Sequence, residues 1–193
     1  MSKPFFICGL PRSKTAWMSV VASGQQSLCL HEPTANVESF EELTALWADD
    51  RFEYIGVSDS SLVMQMGRIL SEIGPRTVII DRDIEEVVHS INCYIAPAGY
   101  EWDSRAHCFA AQAELEKYRG HPLVSWVDYD DLKDIDFVEA VLKWLMPTAT
   151  FPKLAELIHM NIQVDRDWIF ERVQGMVHNN WHLDTSWQRG DRA

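Results

Sequence analysis

The sequence lacks a long apolar run. No stretch approaches the ~20 consecutive apolar residues that a membrane-spanning helix needs. The first apolar run, residues 5–8, is too short for a secretory leader and is promptly interrupted by Gly9 and Pro11. These absences predict a chain without a membrane partner.

Cysteine is scarce and scattered. The four cysteines stand at positions 8, 29, 93 and 108, with neither a close pair nor the spacing of metal ligands. The seven histidines form no close metal-ligand motif. This usage excludes a disulfide scaffold and indicates reduced thiols and a cytoplasmic location. It gives no reason to expect a metal.

Positive charge is also in short supply. Lys and Arg number 17 against 29 Asp and Glu, which gives a formal net charge of −12. A broad nucleic-acid surface needs many cations to neutralise phosphates, so nucleic acid is not an expected partner. Any site for a small anion must therefore be built locally from few cations.

The chain does contain enough apolar material for one substantial core, since 47% of its 193 residues are hydrophobic. Short buried runs alternate with segments of helical periodicity, which predicts an α/β fold. We predict a single-domain three-layer sandwich over residues 1–178, with a mostly parallel sheet flanked by helices, and a C-terminal tail over residues 179–193. The predicted strands are residues 5–8, 27–31, 52–57, 77–80 and 123–127. The predicted helices begin near residue 15 and after residue 83, and also cover residues 38–49, 62–73, 103–118, 136–145, 151–164 and 167–177.

The first motif occupies residues 4–18, PFFICGLPRSKTAWM. A buried strand is followed by a turn and then by a helix, whose first backbone N–H groups favour an anion. Arg12 and Lys14 add full positive charge at that point. The stretch is close to the phosphate-binding loop pattern, although Cys8 and Ser13 stand where that pattern has its two glycines.

The second motif occupies residues 77–91, TVIIDRDIEEVVHSI. Residues 77–80 read as a buried strand, and Asp83 can cap the helix that follows. Arg82 stands at the end of the strand, and Ser90 lies two turns into the helix. Both side chains could therefore address one anion.

Together the two motifs resemble the sulfotransferases that use 3′-phosphoadenosine 5′-phosphosulfate. In that family a loop of the type Pro-Lys/Arg-Ser-Gly-Thr-Thr-Trp/Leu grips the 5′-phosphosulfate, and an Arg and a Ser eight residues later hold the 3′-phosphate. A looser third match is the strand from Val124 and the Tyr-Asp-Asp-Leu that ends at Leu132. This chain departs from the loop pattern at Lys14, where the family has Gly, and at Ala16, where it has a second Thr. The donor-binding residues that the resemblance implies are Arg12, Ser13, Lys14, Thr15, Ala16, Trp17, Arg82 and Ser90.

The resemblance implies a fold similar to the P-loop kinases and sulfotransferases, and in-line transfer of a sulfuryl group to a hydroxyl or amine. The acceptor is a small molecule or a protein, and no metal is needed. Arg12, helped by Lys14 and Thr15, would stabilise the charge that develops on the bridging oxygen. Trp17 could lie against the adenine.

The acceptor must lose a proton, and Glu32 is the predicted base. It follows the second predicted strand, at about the place where tyrosylprotein sulfotransferases carry a catalytic Glu. His31 is the competing base, and strand alternation predicts that the two neighbours point to opposite sides. Asp59 is the counterpart of the catalytic His of cytosolic sulfotransferases. It could be the base, position the acceptor or cap the next helix.

Two other interpretations stay open. In a P-loop kinase or nucleotide hydrolase, Lys14 and Thr15 would be the Lys-Thr of the nucleotide loop, and Asp81 would orient magnesium. A catalytically degenerate nucleotide-binding module could have kept the anion site and lost turnover. The substitutions at Lys14 and Ala16 permit that outcome.

Overall fold

A computed structural model describes residues 2–35, 37, 39–48, 50–95 and 103–160. The predicted helix over residues 167–177 and the tail over residues 179–193 lie outside the described residues, as does the domain boundary at residue 178. Residues 161–164 of the predicted helix 151–164 also lie outside them. None of the helices within the described ranges has the length and apolar character needed to cross a membrane.

Within the described residues the sheet has five strands, all paired in parallel. Their spatial order is β2-β3-β1-β4-β5, so the first strand lies in the middle. This arrangement confirms the predicted parallel sheet. The strands are β1 (Lys3–Gly9), β2 (Ser27–His31), β3 (Tyr54–Ser58), β4 (Arg76–Asp81) and β5 (Val124–Asp128).

Seven α-helices connect and follow the strands in the described part of the chain. They are α1 (Thr15–Val21), α2 (Phe40–Trp47), α3 (Met66–Glu72), α4 (Ile84–Ile95), α5 (Ser104–Glu116), α6 (Ile135–Leu145) and α7 (Leu154–Leu157). Short 3₁₀ segments cover Pro33–Ala35, Ser61–Gln65 and Asp131–Lys133.

Helices cover both faces of the sheet because its strands are apolar on both sides. In β1, Phe5 and Ile7 belong to one core cluster, whereas Phe6 and Cys8 belong to the other. The cluster around Phe5 includes side chains of α1, α6 and α7, and the cluster around Phe6 includes side chains of α2, α3, α4 and α5. The predicted three-layer sandwich is therefore confirmed.

Glycine sets the spacing of the central strands at two points. A Cβ at Gly56 in β3 would lie 2.1 Å from the ring of Phe5 in β1. At the end of β1, a Cβ at Gly9 would lie 2.7 Å from the carbonyl oxygen of Ile80 in β4. Gly9 therefore lets β1 and β4 approach each other closely where the first motif begins.

The predicted helix over residues 62–73 is wrong at its beginning. Residues Ser61–Gln65 form a 3₁₀ segment, and the α-helix starts only at Met66. The side chain of Asp59 accepts a hydrogen bond from the backbone N–H of Ser61 at 2.8 Å. This short-range bond favours a tight turn over an α-helical one.

Candidate functional site

The carboxyl ends of the five parallel strands lie at the same edge of the sheet. The residues that follow them are the loop after Gly9, then Glu32, Asp59, Arg82 and Tyr129. In open parallel sheets, ligands bind at this edge, next to strands whose connections leave on opposite faces. The connection after β1 runs through α1 on one face, whereas that after the neighbouring β4 runs through α4 and α5 on the other.

The first motif has an unusual backbone. Arg12 and Lys14 take left-handed conformations, with φ of 67° and 60°. Lys14 is also the residue that precedes α1, at the position where the resembled loop pattern has glycine. An L residue with a Cβ is strained in this conformation, and such strain clusters at functional sites.

The two sequence motifs meet in the structure. The guanidinium Nε of Arg12 donates a hydrogen bond to Oγ of Ser90 at 3.3 Å. A terminal nitrogen of Arg82 donates to the backbone oxygen of Arg12 at 2.6 Å, and its Nε forms a 3.3 Å ion pair with Glu86. Residues separated by 70 and 78 positions thus form one local cluster of cations and a hydroxyl.

The hydroxyl of Ser13 is fully buried and has no hydrogen-bond partner among the described residues. A buried polar group normally has a partner, since leaving one unpaired costs about 1–3 kcal/mol. Thr15 is also buried, and its backbone oxygen accepts a hydrogen bond from Oγ of Ser58 at 2.8 Å. The unpaired Ser13 hydroxyl suits a loop that receives oxygen atoms of a ligand.

Trp17 is mostly buried beside the first motif. Its side chain belongs to the core cluster under α6, and only 6% of the residue is exposed. The indole N–H donates to the backbone oxygen of Leu157 at 3.1 Å. Nζ of Lys14 lies 5.7 Å from the centroid of its ring, so Trp17 borders the loop after β1, and the contact of an adenine with Trp17 stays a prediction. Ala16, its neighbour, is partly exposed.

A third residue joins the cations of the two motifs. The ring of Tyr129, directly after β5, lies 4.4 Å from Nζ of Lys14 and 4.2 Å from Cζ of Arg82, measured to the ring centroid. Burial lowers the pKa of Lys14 below its ordinary value, and the positive charges of Lys133 and Arg82 lower it further, while Asp130 opposes them. The surroundings of Lys14 therefore disfavour its charged form.

Glu32 and His31 contact each other, so the predicted separation of their side chains is wrong. Glu32 has a φ of 45°, which takes it out of strand geometry directly after β2. Its N–H donates to the backbone oxygen of Ser58 at 2.9 Å, and its Oε1 lies 3.7 Å from Nε2 of His31. The side chain of Glu32 is 53% exposed, which leaves it open to a partner in solution.

Asp59 is fully buried, and protein donors occupy its carboxylate. Its oxygens accept hydrogen bonds from Oγ1 of Thr34 at 2.6 Å, from N–H of Ser61 at 2.8 Å and from Oγ of Ser61 at 2.7 Å. Burial raises the pKa of the nearby Cys8 thiol, and the negative charge of Asp59 adds to that effect. Asp59 thus binds the first N–H of the 3₁₀ segment from one position before the N-cap residue of that segment, which is Ser60.

Asp81, the magnesium candidate of the kinase interpretation, points elsewhere. Its Oδ2 lies 3.3 Å from a guanidinium nitrogen of Arg119, which also pairs with Glu116. Across residues 2–35, 37, 39–48, 50–95 and 103–160, no group of three or more His, Cys, Asp or Glu side chains could hold a metal ion. The carboxylate that this interpretation assigns to magnesium is therefore paired with a protein cation.

Sequence reasoning missed Thr34, and it assigned Tyr129 only to a loose motif. Thr34 follows Glu32 by two residues, and its hydroxyl also lies 2.9 Å from Oγ of Ser61. No spacing pattern marks such a network. The signal for Tyr129 was its position directly after a predicted strand, where parallel sheets collect their functional side chains.

Solved structures of two sulfotransferases share the fold of this chain. Mouse sulfotransferase SULT7A1 complexed with PAP has a TM-score of 0.55 at 13% sequence identity, over 81% of this chain and 62% of the mouse protein. A sulfotransferase from Alicyclobacillus acidocaldarius has a TM-score of 0.57 at 13% identity, over 97% of this chain and 100% of that protein. This chain thus spans less than two thirds of the mouse protein's length. No protein-family model and no curated protein matches the sequence. The chain therefore has a sulfotransferase-like α/β fold.

Proposed function

We propose that this protein is a sulfotransferase that moves a sulfuryl group from 3′-phosphoadenosine 5′-phosphosulfate to a hydroxyl or amine. The observation that carries the proposal is the meeting of Arg12 with Ser90 and Arg82 at one edge of the sheet. The mouse protein of the same fold was crystallised with PAP, the 3′,5′-adenosine bisphosphate, which supports a donor of this kind.

The donor carries anions at two positions, and the site offers two sets of partners. Arg12, Ser13, Lys14 and Thr15 would hold the 5′-phosphosulfate, and the unpaired Ser13 hydroxyl offers it a hydrogen bond. Arg82 and Ser90 would hold the 3′-phosphate. Ala16 lacks a hydroxyl and would contribute only its backbone.

Fixed cations at the 5′ end favour the transition state, because negative charge grows on the oxygen between phosphorus and sulfur as the sulfuryl group leaves. Arg12 is the strongest candidate, since hydrogen bonds with Ser90 and with Arg82 fix its side chain and its backbone. Lys14 adds a second charge in a partly buried position, where electrostatic attraction is stronger than in water. The chemistry that the donor supplies is an activated sulfuryl group.

Glu32 is the proposed base. Its side chain is half exposed at the same edge of the sheet as the loop after β1, so an acceptor hydroxyl could reach it, whereas Asp59 has its carboxylate occupied by Thr34 and Ser61. His31 lies against Glu32 and can stabilise its orientation. Asp59 instead supports the loop that carries Thr34 and Glu32.

The acceptor is proposed to be a small molecule or a protein with a hydroxyl or amine, and not a nucleic acid. The net charge of −12 supports this restriction because it repels polyanions. A cytoplasmic location is proposed as well. The four free cysteines, three of them buried, suit a reducing compartment.

The test is calorimetric titration of the purified protein with 3′,5′-adenosine bisphosphate and, separately, with ATP and magnesium. We expect tight binding of the bisphosphate and weak binding of ATP. The reverse preference would favour the kinase interpretation. Binding of the bisphosphate without sulfuryl transfer to any acceptor in a broad screen would favour the degenerate module.

A further inference from the structure

Tyr129 is fixed at the carboxyl edge of the sheet. Its backbone N–H donates to the carbonyl oxygen of Asp81 at 2.8 Å, which ties the end of β5 to the end of β4. Its partly buried ring packs against the core cluster that contains Trp17 and Leu132. The ring therefore has a defined place between the loop after β1 and the start of α4.

Two cations lie within contact distance of this ring. Nζ of Lys14 is 4.4 Å and Cζ of Arg82 is 4.2 Å from its centroid, inside the range of about 6 Å for cation–π attraction. Two like charges brought to one place repel each other, and the negative face of an aromatic ring offsets part of that repulsion. The neighbouring charges include Glu86, which lies 3.3 Å from Nε of Arg82, and Asp130 and Lys133, which pair with each other at 2.5 Å.

We propose that Tyr129 is a positioning residue that holds Lys14 and Arg82 together and thereby couples the two anion-binding halves of the site. Lys14 belongs to the 5′ half and Arg82 to the 3′ half, an assignment that rests on the proposed function. Arg82 also donates to the backbone oxygen of Arg12, so a displaced Arg82 would loosen the 5′ loop too. Loss of the ring should therefore weaken the binding of an anion at either position.

The ligand test uses two variants of Tyr129 that fill similar space. Tyr129→Phe keeps the ring and removes the hydroxyl, whereas Tyr129→Leu keeps apolar packing and removes the ring. Trp144→Leu is the matched control, because the ring of Trp144 lies 5.8 Å from Arg76 at the opposite edge of the sheet, where β4 begins. The probes are adenosine 5′-monophosphate and adenosine 3′-monophosphate, titrated separately by calorimetry, and thermal unfolding checks each fold.

Tyr129→Leu should bind both nucleotides roughly tenfold more weakly than wild type, since two cation–π contacts are lost. Tyr129→Phe and Trp144→Leu should bind within about twofold of wild type, since both keep the ring at the site. The proposal is overturned if Tyr129→Leu binds like wild type, or if only one nucleotide is affected. It is also overturned if Tyr129→Phe is as weak as Tyr129→Leu, because the hydroxyl would then be the functional group.

A second measurement needs no nucleotide and does not depend on the leucine variant folding. The Nε–H proton of Arg82, assigned by comparison with Arg82→Lys, should show an upfield ring-current shift in the NMR spectrum of wild type and of Tyr129→Phe, since Cζ of Arg82 lies 4.2 Å from the centroid of that ring. Absence of that shift in wild type overturns the proposal. If the shift is present but wild type binds neither nucleotide, the contact of Tyr129 with its cation stands and the proposed function fails.

Discussion

Lys14 occupies a backbone position that suits glycine. Replacing it with glycine or with alanine distinguishes the cost of its backbone conformation from the effect of its positive charge. Its φ of 60° costs an L residue roughly 1–2 kcal/mol, whereas glycine adopts it freely. Both Lys14→Gly and Lys14→Ala remove the contact with Tyr129, but only glycine removes the strain. Glycine loses about 0.5 kcal/mol more chain entropy on folding, so Lys14→Gly should be about 1 kcal/mol more stable than Lys14→Ala.

The assay is thermal unfolding of both variants, with urea unfolding to obtain the free energy. A difference of about 1 kcal/mol in a chain of this length corresponds to roughly 2–4 °C in melting temperature. Both variants should bind 3′,5′-adenosine bisphosphate roughly tenfold more weakly than wild type, since each lacks the cation. Equal stability of the two variants would refute the strain argument. Wild-type affinity in both would remove Lys14 from the site.

Three further outcomes follow from the site. The fold disfavours protonated Lys14, so between its lowered pKa and the ordinary lysine value the unfolded chain binds more protons. The contribution of Lys14 to the free energy of unfolding should therefore rise with pH in that alkaline range, while the affinity for the bisphosphate falls. Lys14→Ala should abolish both trends, which are measured by unfolding and by calorimetric titration at several pH values. Asp59→Asn should lower the free energy of unfolding by about 1–3 kcal/mol in urea, because Thr34 and Ser61 lose a charged acceptor; an unchanged value would contradict the buried network. Glu32→Gln should abolish sulfuryl transfer in a radiolabelled-donor assay yet bind the bisphosphate normally, whereas retained transfer would exclude Glu32 as the base.

The strands were predictable because a parallel sheet buried on both faces leaves continuous apolar runs in the sequence. All five predicted strands are present, and β2 has the predicted bounds. The spatial order β2-β3-β1-β4-β5 was not readable, since it depends on contacts between strands far apart in the chain. The helix before β4 was predicted too long because the hydrogen bond from Ser61 to Asp59 overrides the apolar periodicity.

The site could be predicted where the spacing of residues in the sequence determines which side chains lie together. Arg82 at the end of a predicted strand and Ser90 two helical turns later could be assigned to one site from their spacing, and in the structure both contact Arg12. The left-handed backbone at Lys14 and Glu32 could not be inferred from the sequence, because glycine is the residue type that indicates this conformation. The contact of Glu32 with His31 and the burial of Trp17 follow from such local geometry and core packing.

The central claim is that Arg82 recognises a 3′-phosphate, and affinity measurements on two arginine variants of one strand test it most directly. Arg82→Ala removes the arginine at the carboxyl end of β4, and Arg76→Ala removes the one at its start, which contacts Trp144 at the opposite edge of the sheet. Loss of a charged hydrogen bond should weaken 3′,5′-adenosine bisphosphate binding by roughly 10- to 150-fold in Arg82→Ala. Adenosine 5′-monophosphate should lose less affinity, since it loses only the support that Arg82 gives to the loop at Arg12. Arg76→Ala should bind both ligands as wild type does. Equal affinity of Arg82→Ala and wild type for the bisphosphate would contradict the account.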